Sequence, residues 1–450
     1  MLPIDKYPLN RIESALKYGS PRELFFRTDY IDRMSIAVIS ISLFFAFISK
    51  AVVELGVAVL IALFCIRTAF SRTPEKEARL SRRAPLAGIL SPDRFFDFSY
   101  LLYPAVLFLS SALSRYPREG VSDLLTKHIE YIVLGFLVMM AFRSSRQAAR
   151  VCLSAVFAAH VVLLIADCFW QYIFKWDFLR GRDVGWCYFL EAWHPRLKAT
   201  FENENVLAGY IIFPLFITLG FVNYRPVGSA RARVAIIAIL ASLFLILFST
   251  YTRGAWIALV AGLFVYGICR WHNLRTISVV FAVLGVFFLM CYPAIHERTL
   301  RAFQDIGGGA TIRFEIWKET LKIIRAYPFF GAGFNQFHEA LREFNPLLYN
   351  TTMHTHNMYL KIAVETGLVG LAAFLFFIGS LTATLIRALR SFQMDSYGYS
   401  FVIGFISALA ATLVYGIFDN TFFAPQIQTL FWILTGFSWM LIEREENAVR

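Results

Sequence analysis

His354-Thr355-His356-Asn357 stands where a long polar stretch meets a long apolar run. Histidine is the side chain that takes up and returns a proton near neutral pH. Ionisable and amide groups at the edge of a membrane segment are costly to bury, and they usually serve chemistry or transport. Two further stretches share this character. Arg196, Asn203 and Asn205 lie in the polar run from His194 to Asn205 that leads into another apolar segment. Arg253 lies in Thr250-Tyr251-Thr252-Arg253-Gly254-Ala255-Trp256, a turn too short to carry it far into water. Arginine suits phosphate because its planar fork donates parallel charge-assisted hydrogen bonds and keeps its proton. A histidine to deprotonate an incoming hydroxyl, with arginines to neutralise a departing pyrophosphate, is what transfer from a lipid-linked pyrophosphate requires.

Each residue also has a plainer reading. An arginine at a helix end anchors to lipid headgroups, and a single interfacial histidine is ordinary. The His-x-His spacing suggests a metal pair, but no Asp/Glu/His cluster with ligand spacing joins it, so neither a metal nor a cofactor is expected. Asp167 lies inside an apolar run, where a carboxylate is a functional candidate or the partner of an arginine on a neighbouring helix.

The elements that position these residues are membrane helices. The chain is 58% hydrophobic and 16% charged, and its apolar residues come in long runs. A helix needs about 20 residues to cross the hydrocarbon core, and runs of that length exclude a β-barrel. The expected fold is an all-α polytopic membrane protein, a single integral domain over residues 1–450. About twelve spans are read, near 33–49, 51–70, 96–114, 128–143, 150–174, 205–223, 232–250, 254–270, 276–294, 357–387, 398–418 and 426–442. The first 33 residues are polar and mixed in charge, unlike a secretory leader. Six scattered cysteines form no CxxC pair and no disulfide framework.

The net charge of +12 points to membrane topology and not to nucleic acid. Arginines gather in alternate short loops, as with Arg143, Arg146 and Arg150, or Arg225, Arg231 and Arg233. The positive-inside rule makes those loops and both termini cytoplasmic. The remaining loops then open on the other face: 115–127, 175–204, the turn at 251–253, a large segment at 295–356, and the turn at Asp419-Asn420. Nearly all the unusual polar chemistry falls there. Within the large segment Phe314, Trp317, Leu321 and Ile324 recur at helical spacing beside Lys318, Lys322 and Arg325, which predicts an amphipathic helix over 311–327 at the membrane surface. Pro328 should stop it, and Gly331-Ala332-Gly333 should turn the chain. Gly367 and Gly370, about one turn apart on the tenth span, are expected to permit close helix packing.

His356-Asn357, nine further residues, then Gly367-Leu368-Val369-Gly370 resembles the signature of the O-antigen ligases. That family belongs to a superfamily with O-antigen polymerases and bacterial protein O-oligosaccharyltransferases. The segments Arg196 to Asn205, Thr252-Arg253-Gly254 with Trp256, and Arg313 with Trp317, Pro328, Gly331 and Gly333 also match, in the same order. The motif match covers about residues 190–380, and the topology covers the whole chain. The resemblance implies a GT-C-like fold with about a dozen helices and one large periplasmic loop. It also implies an inverting, metal-independent glycosyltransferase in the bacterial inner membrane with a periplasmic active site. By that resemblance His356 is catalytic and Arg196 and Arg253 bind phosphate; Arg313, His354, Asn357 and Asn205 are secondary candidates.

The donor implied is an undecaprenyl-pyrophosphate-linked glycan and the acceptor lipid A–core, with membrane lipids around the protein. A polymerase would use the same donor and extend a second lipid-linked glycan. The chain ends a few residues after its last span, where protein transferases often carry a further region, and the signature around His356 favours a ligase. A lipid-linked sugar transporter would place polar groups near the bilayer midplane, often within internal repeats. Here they gather at one face.

Overall fold

A computed structural model describes residues 28–70, 95–141, 146–177, 180–189, 192–222, 224, 230–271, 309–348, 354–394 and 396–449. The chain is a multi-pass, predominantly helical membrane protein. Its described helices are α1 (Thr28–Phe45), α2 (Lys50–Phe70), α3 (Phe95–Ala112), α4 (Pro117–Lys127), α5 (Ile129–Ala141) and α6 (Arg146–Phe174). They continue with α7 (Glu204–Phe221), α8 (Ala230–Ser249), α9 (Arg253–Trp271), α10 (Gly309–Ala326), α11 (Phe337–Phe344), α12 (Met358–Ser391), α13 (Tyr397–Tyr415) and α14 (Pro425–Val449).

Among the described residues eight helices are long and apolar enough to cross a membrane, fewer than the twelve expected. The differences have local causes. The first expected span falls in α1, which carries Asp32, a buried carboxylate paired with Arg67 of α2 at 3.2 Å. The span near 96–114 falls in α3, an apolar helix that carries Pro104 without a break. The last falls in α14, which opens on the polar run Pro425-Gln426-Ile427-Gln428-Thr429. The span at 276–294 lies outside the described residues. The expected loop 115–127 is itself helical: α4 runs into α5 with a change of direction at His128, and the two together make one spanning segment. Nor is the fold wholly α. Residues 176–196 form two antiparallel hairpins, β1 (Trp176–Asp177) with β2 (Arg182–Asp183) and β3 (Gly185–Phe189) with β4 (Ala192–Arg196).

Helices α7, α13 and α14 are the best buried, and α13 packs against both α7 and α9. A β-carbon on Gly404 would meet the backbone carbonyl of Phe216 at 2.5 Å, so the α7 and α13 backbones touch directly. The helix directions gather one set of ends. α7, α9 and α12 begin, and α13 finishes, at a single end of the bundle.

The expected amphipathic helix is present as α10. Its inner face is Ile316, Thr320 and Ile323, however, packed on Ala332, Phe337, Leu341 and Val364, while Phe314 and Leu321 of the expected stripe are exposed.

The tenth expected span is not one continuous helix. Gly367 has φ +70 and ψ −177 and breaks α12. A helix break inside a membrane protein is tolerated only where neighbouring groups satisfy the freed backbone. The loop after α10 does so. Leu368 N–H donates to Pro328 O at 2.8 Å, and Ala332 and Gly333 N–H donate to Val364 and Glu365 O at 2.8 and 2.9 Å. The Ser110 hydroxyl of α3 donates to Thr366 O at 2.8 Å. The loop enters so closely that a β-carbon on Gly367 would stand 2.1 Å from Phe329 O, and one on Gly331 would stand 2.5 Å from the Glu365 carbonyl carbon. The expected packing role of Gly370 is not met: the space beside it is filled by Thr366 of its own helix.

Gly367→Ala should therefore destabilise the protein by more than about 2 kcal/mol, through a strained φ and a backbone clash. Gly379→Ala, where a β-carbon meets nothing within 4 Å, should be neutral or stabilising by up to about 1 kcal/mol. Thermal unfolding in detergent compares the two. Equal midpoints would refute the account of the break.

Candidate active site

Four segments meet at the end where α7, α9 and α12 begin. Asn203 caps α7 by accepting the N–H groups of Asn205 and Val206, both at 3.0 Å, which leaves the Asn205 side chain to face inward. Asn205 accepts from the Thr252 hydroxyl at 3.1 Å and donates to Asp419 Oδ2 at 3.0 Å. Asp419 ends the turn after α13, and its Oδ1 accepts the Asn420 N–H at 2.8 Å. The Tyr415 hydroxyl donates to Asn205 O at 3.0 Å. One network thus ties together the starts of α7 and α9 and the end of α13.

His356 closes the circle. Its Nδ1 lies 3.6 Å from the same Asp419 Oδ2, and its side chain is 30% exposed, so the ring reaches solvent while one nitrogen faces the carboxylate. The residue is fixed from both sides. Trp317 of α10 donates its indole N–H to Thr355 O at 2.7 Å, and Asn357 caps α12 by accepting Leu360 N–H at 2.9 Å. The Asn357 amide also donates to Ile417 O at 3.0 Å, which ties α12 to the Asp419 turn. It holds backbone, not the imidazole ring. Between these ties His356 has φ +47, a conformation uncommon outside glycine. Tyr251 (φ +53) and Ala199 (φ +48), in the two arginine segments, share it. Such residues cost on the order of 1–3 kcal/mol each and cluster at functional sites.

The arginines reach this end by different routes. β4 ends at Arg196, whose Nε donates to Thr250 O at 3.2 Å and whose guanidinium pairs with Glu204 at the start of α7. Leu197 N–H donates to Ser249 O, and the His194 ring lies against Tyr251. The second hairpin is thereby joined to the turn before Arg253. Arg253 is exposed as the first residue of α9, at the positive end of that helix. Arg313 of α10 donates to Phe418 O at 3.4 Å, and it and Arg196 both act electrostatically on Tyr415.

Residues 236–375 match the family model for O-antigen ligase.

That match agrees with the resemblance read from the motifs, and the family acts on lipid-linked glycans. No curated protein matches the chain. The matched segment holds Arg253, Arg313, His354, His356, Asn357 and Gly367; Arg196, Asn205 and Asp419 are brought to it by the fold. Among the described residues no group of three or more His, Cys, Asp or Glu side chains is placed to hold a metal ion.

Asp167 stands apart from the other candidates. It is buried on α6, and neither carboxylate oxygen has a hydrogen-bond partner among the described residues. Among the described residues no ion pair joins it to an arginine. Tyr415 was not singled out from the sequence, while Thr252 entered only as part of the Arg253 motif and Asp419 only as part of a turn. The signal for Asp419 was available, as an acidic residue in a short turn on the face that already carried the histidine.

His338 of α11 was also missed. Its ring lies 5.3 Å from that of His354, which lies 6.4 Å from that of His356. His338 and His354 are both held below the usual histidine value, first by loss of hydration. For His338 the neighbouring charges of His354 and Lys361 add to this; for His354 those of Lys361 and His356 do, against Asp419. Folding therefore disfavours a proton that the unfolded chain accepts. These two residues contribute full stability above the unfolded value, about 6.5, and lose it as pH falls through and below that value. The unfolding midpoint should drop between pH 7.5 and pH 5. The double variant His338→Gln/His354→Gln should flatten that slope, and an unchanged slope would remove these residues as its cause.

Proposed function

We propose that the protein is an O-antigen ligase that transfers glycan from undecaprenyl pyrophosphate to lipid A–core on the periplasmic face of the inner membrane. The whole chain forms one integral domain, with the 295–356 segment on the periplasmic side and both termini in the cytoplasm. The observation that carries the reading is His356, held at the junction of four helix ends with Nδ1 facing Asp419.

Because Nδ1 faces the carboxylate, Nε2 is the nitrogen left for substrate. It accepts the proton of the acceptor hydroxyl as that oxygen attacks the anomeric carbon of the donor sugar. The bond from that carbon to the pyrophosphate oxygen breaks, its electron pair leaves with undecaprenyl pyrophosphate, and attack from the opposite side inverts the centre. Asp419 stabilises the imidazolium that results. Arg253, at the positive end of α9, and Arg196 neutralise the leaving group, with Glu204 holding the Arg196 fork in place. Arg313 supports the Asp419 turn through Phe418. None of these steps draws on a metal or a cofactor.

Purified protein reconstituted with undecaprenyl-pyrophosphate glycan and lipid A–core in EDTA tests this. Wild type should glycosylate lipid A–core. His356→Ala should lose activity by about 10²–10⁴-fold, as expected for a general base. Arg196→Ala and Arg253→Ala should each lose about 10²–10³-fold. All variants should remain in the membrane. A longer lipid-linked glycan as product would make the protein a polymerase, and full activity of His356→Ala would refute the mechanism.

A further inference from the structure

A second concavity lies between α4 and α11, on the element that carries His338. It is an open cleft of about 550 Å³, within the range of about 300–1,000 Å³ common for small-molecule sites. It is lined by Tyr116, Arg118, Glu119 and Ser122 and, from the facing element, by Gln336 and Glu339; Arg115 lies over the Tyr116 ring at 5.7 Å from its centre.

Hydrogen bonds tie the walls together. The Tyr116 hydroxyl donates to Glu343 Oε2 at 2.6 Å, and Arg115 donates to the other oxygen of the same carboxylate at 3.2 Å. Tyr116 N–H donates to Ala332 O at 2.9 Å, which anchors the wall to the loop that fills the α12 break. At the base Asp123 accepts from Asn335 at 2.6 Å and Gln336 at 3.4 Å. A β-carbon on Gly120 would lie 3.1 Å from Phe334 N, so α4 and the chain entering α11 are in backbone contact.

The chemistry of the lining selects a class of ligand. Asp123 is paired with Lys127 at 2.8 Å and Glu339 with Arg342 at 2.9 Å, while Arg118 stands next to Glu119 in the chain. Acids and bases are thus balanced, which removes the net field that would draw a phosphate or a multivalent cation. What remains is a dense mixture of acceptors (carboxylates), donors (guanidinium and amide) and a hydroxyl that does both, beside an aromatic face. A neutral polyhydroxyl ligand, with hydroxyls that donate and accept and a C–H face that covers a ring, matches that mixture. The cleft also has the right neighbour. Glu339 follows His338, whose ring is next to that of His354, which in turn adjoins His356.

We infer that the cleft between α4 and α11 is an oligosaccharide-binding subsite, holding the glycan of one lipid substrate beside His356. The inference rests on the glycan-transfer reading above. The ligand chemistry is shared by the donor glycan and the acceptor core, and the test separates them. Two soluble probes are titrated against the purified full chain in detergent: core oligosaccharide released from lipid A, and donor glycan released from its pyrophosphate lipid. Ser122→Trp fills the cleft at an exposed position. The double variant Glu119→Gln/Glu339→Gln removes two acceptor charges with little change of shape.

One of the probes should bind wild type, and both variants should weaken it about tenfold, or about 1.4 kcal/mol. In the transfer assay the same variants should raise KM for the matching lipid-linked substrate and leave kcat within about twofold of wild type. Unfolding midpoints equal to wild type show that the fold is kept, and the isosteric double variant decides the matter if Ser122→Trp does not fold. Equal binding of both probes by wild type and the double variant overturns the subsite, as does binding of neither probe to wild type. A wild type that binds a probe but transfers no glycan counts against the transfer reading and leaves the subsite standing.

Discussion

The carboxylate of Asp419 sits where a buried charge is expensive unless polar partners surround it. It is satisfied by the Asn205 amide and the Asn420 backbone N–H, and it faces His356. Each partner comes from a different helix end, so satisfying this one group requires α7, α12 and α13 to start or stop at the same level. Thr252 extends the requirement to α9 through Asn205. The direct backbone contact of α7 with α13 supplies the rigidity that keeps those ends in register.

Much of this was legible in the sequence, because hydropathy and charge are local signals. The apolar runs located most of the membrane helices, and the spacing of apolar residues located α10 to within about two residues. The three polar segments did converge. What the sequence hid depends on partners distant along the chain. Asn203 and Asn205 are the same residue type two positions apart, yet one caps a helix and the other bonds Asp419; only the docking of α13 distinguishes them. Asp419-Asn420 between two apolar runs has the composition of an ordinary turn, and its pairing with His356 appears only on folding. The hairpins at 176–196 follow no regular alternation of apolar and polar residues. The break at Gly367 was concealed because apolar periodicity continues on both sides, and an isolated glycine within such a pattern is usually tolerated.

The arginines show how the same residue type serves three arrangements. Arg196 is oriented by Glu204 and a backbone carbonyl, Arg253 is presented at a helix start, and Arg313 reaches the Asp419 turn from α10. The first is partly neutralised by the Glu204 carboxylate at the start of α7. The second adds its charge to that of the exposed N–H groups of α9. The three arginines therefore bring positive charge to this end from three different elements, β4, α9 and α10.

The interruption of α12 has a mechanical consequence. A membrane helix tilts or shifts to match bilayer thickness, and in an unbroken helix that motion reaches the first turn undiminished. Here the Met358–Thr366 segment that carries the cap of His356 has its own axis. It is tied to Ala332, Gly333 and Ser110, while Leu368 and the residues after it hang from Pro328 and Phe329. The joint at Gly367 gives the two halves separate axes while the one loop from Pro328 to Gly333 is bonded to both, so that loop, and not the helix backbone alone, sets where the histidine end stands relative to the rest of the span.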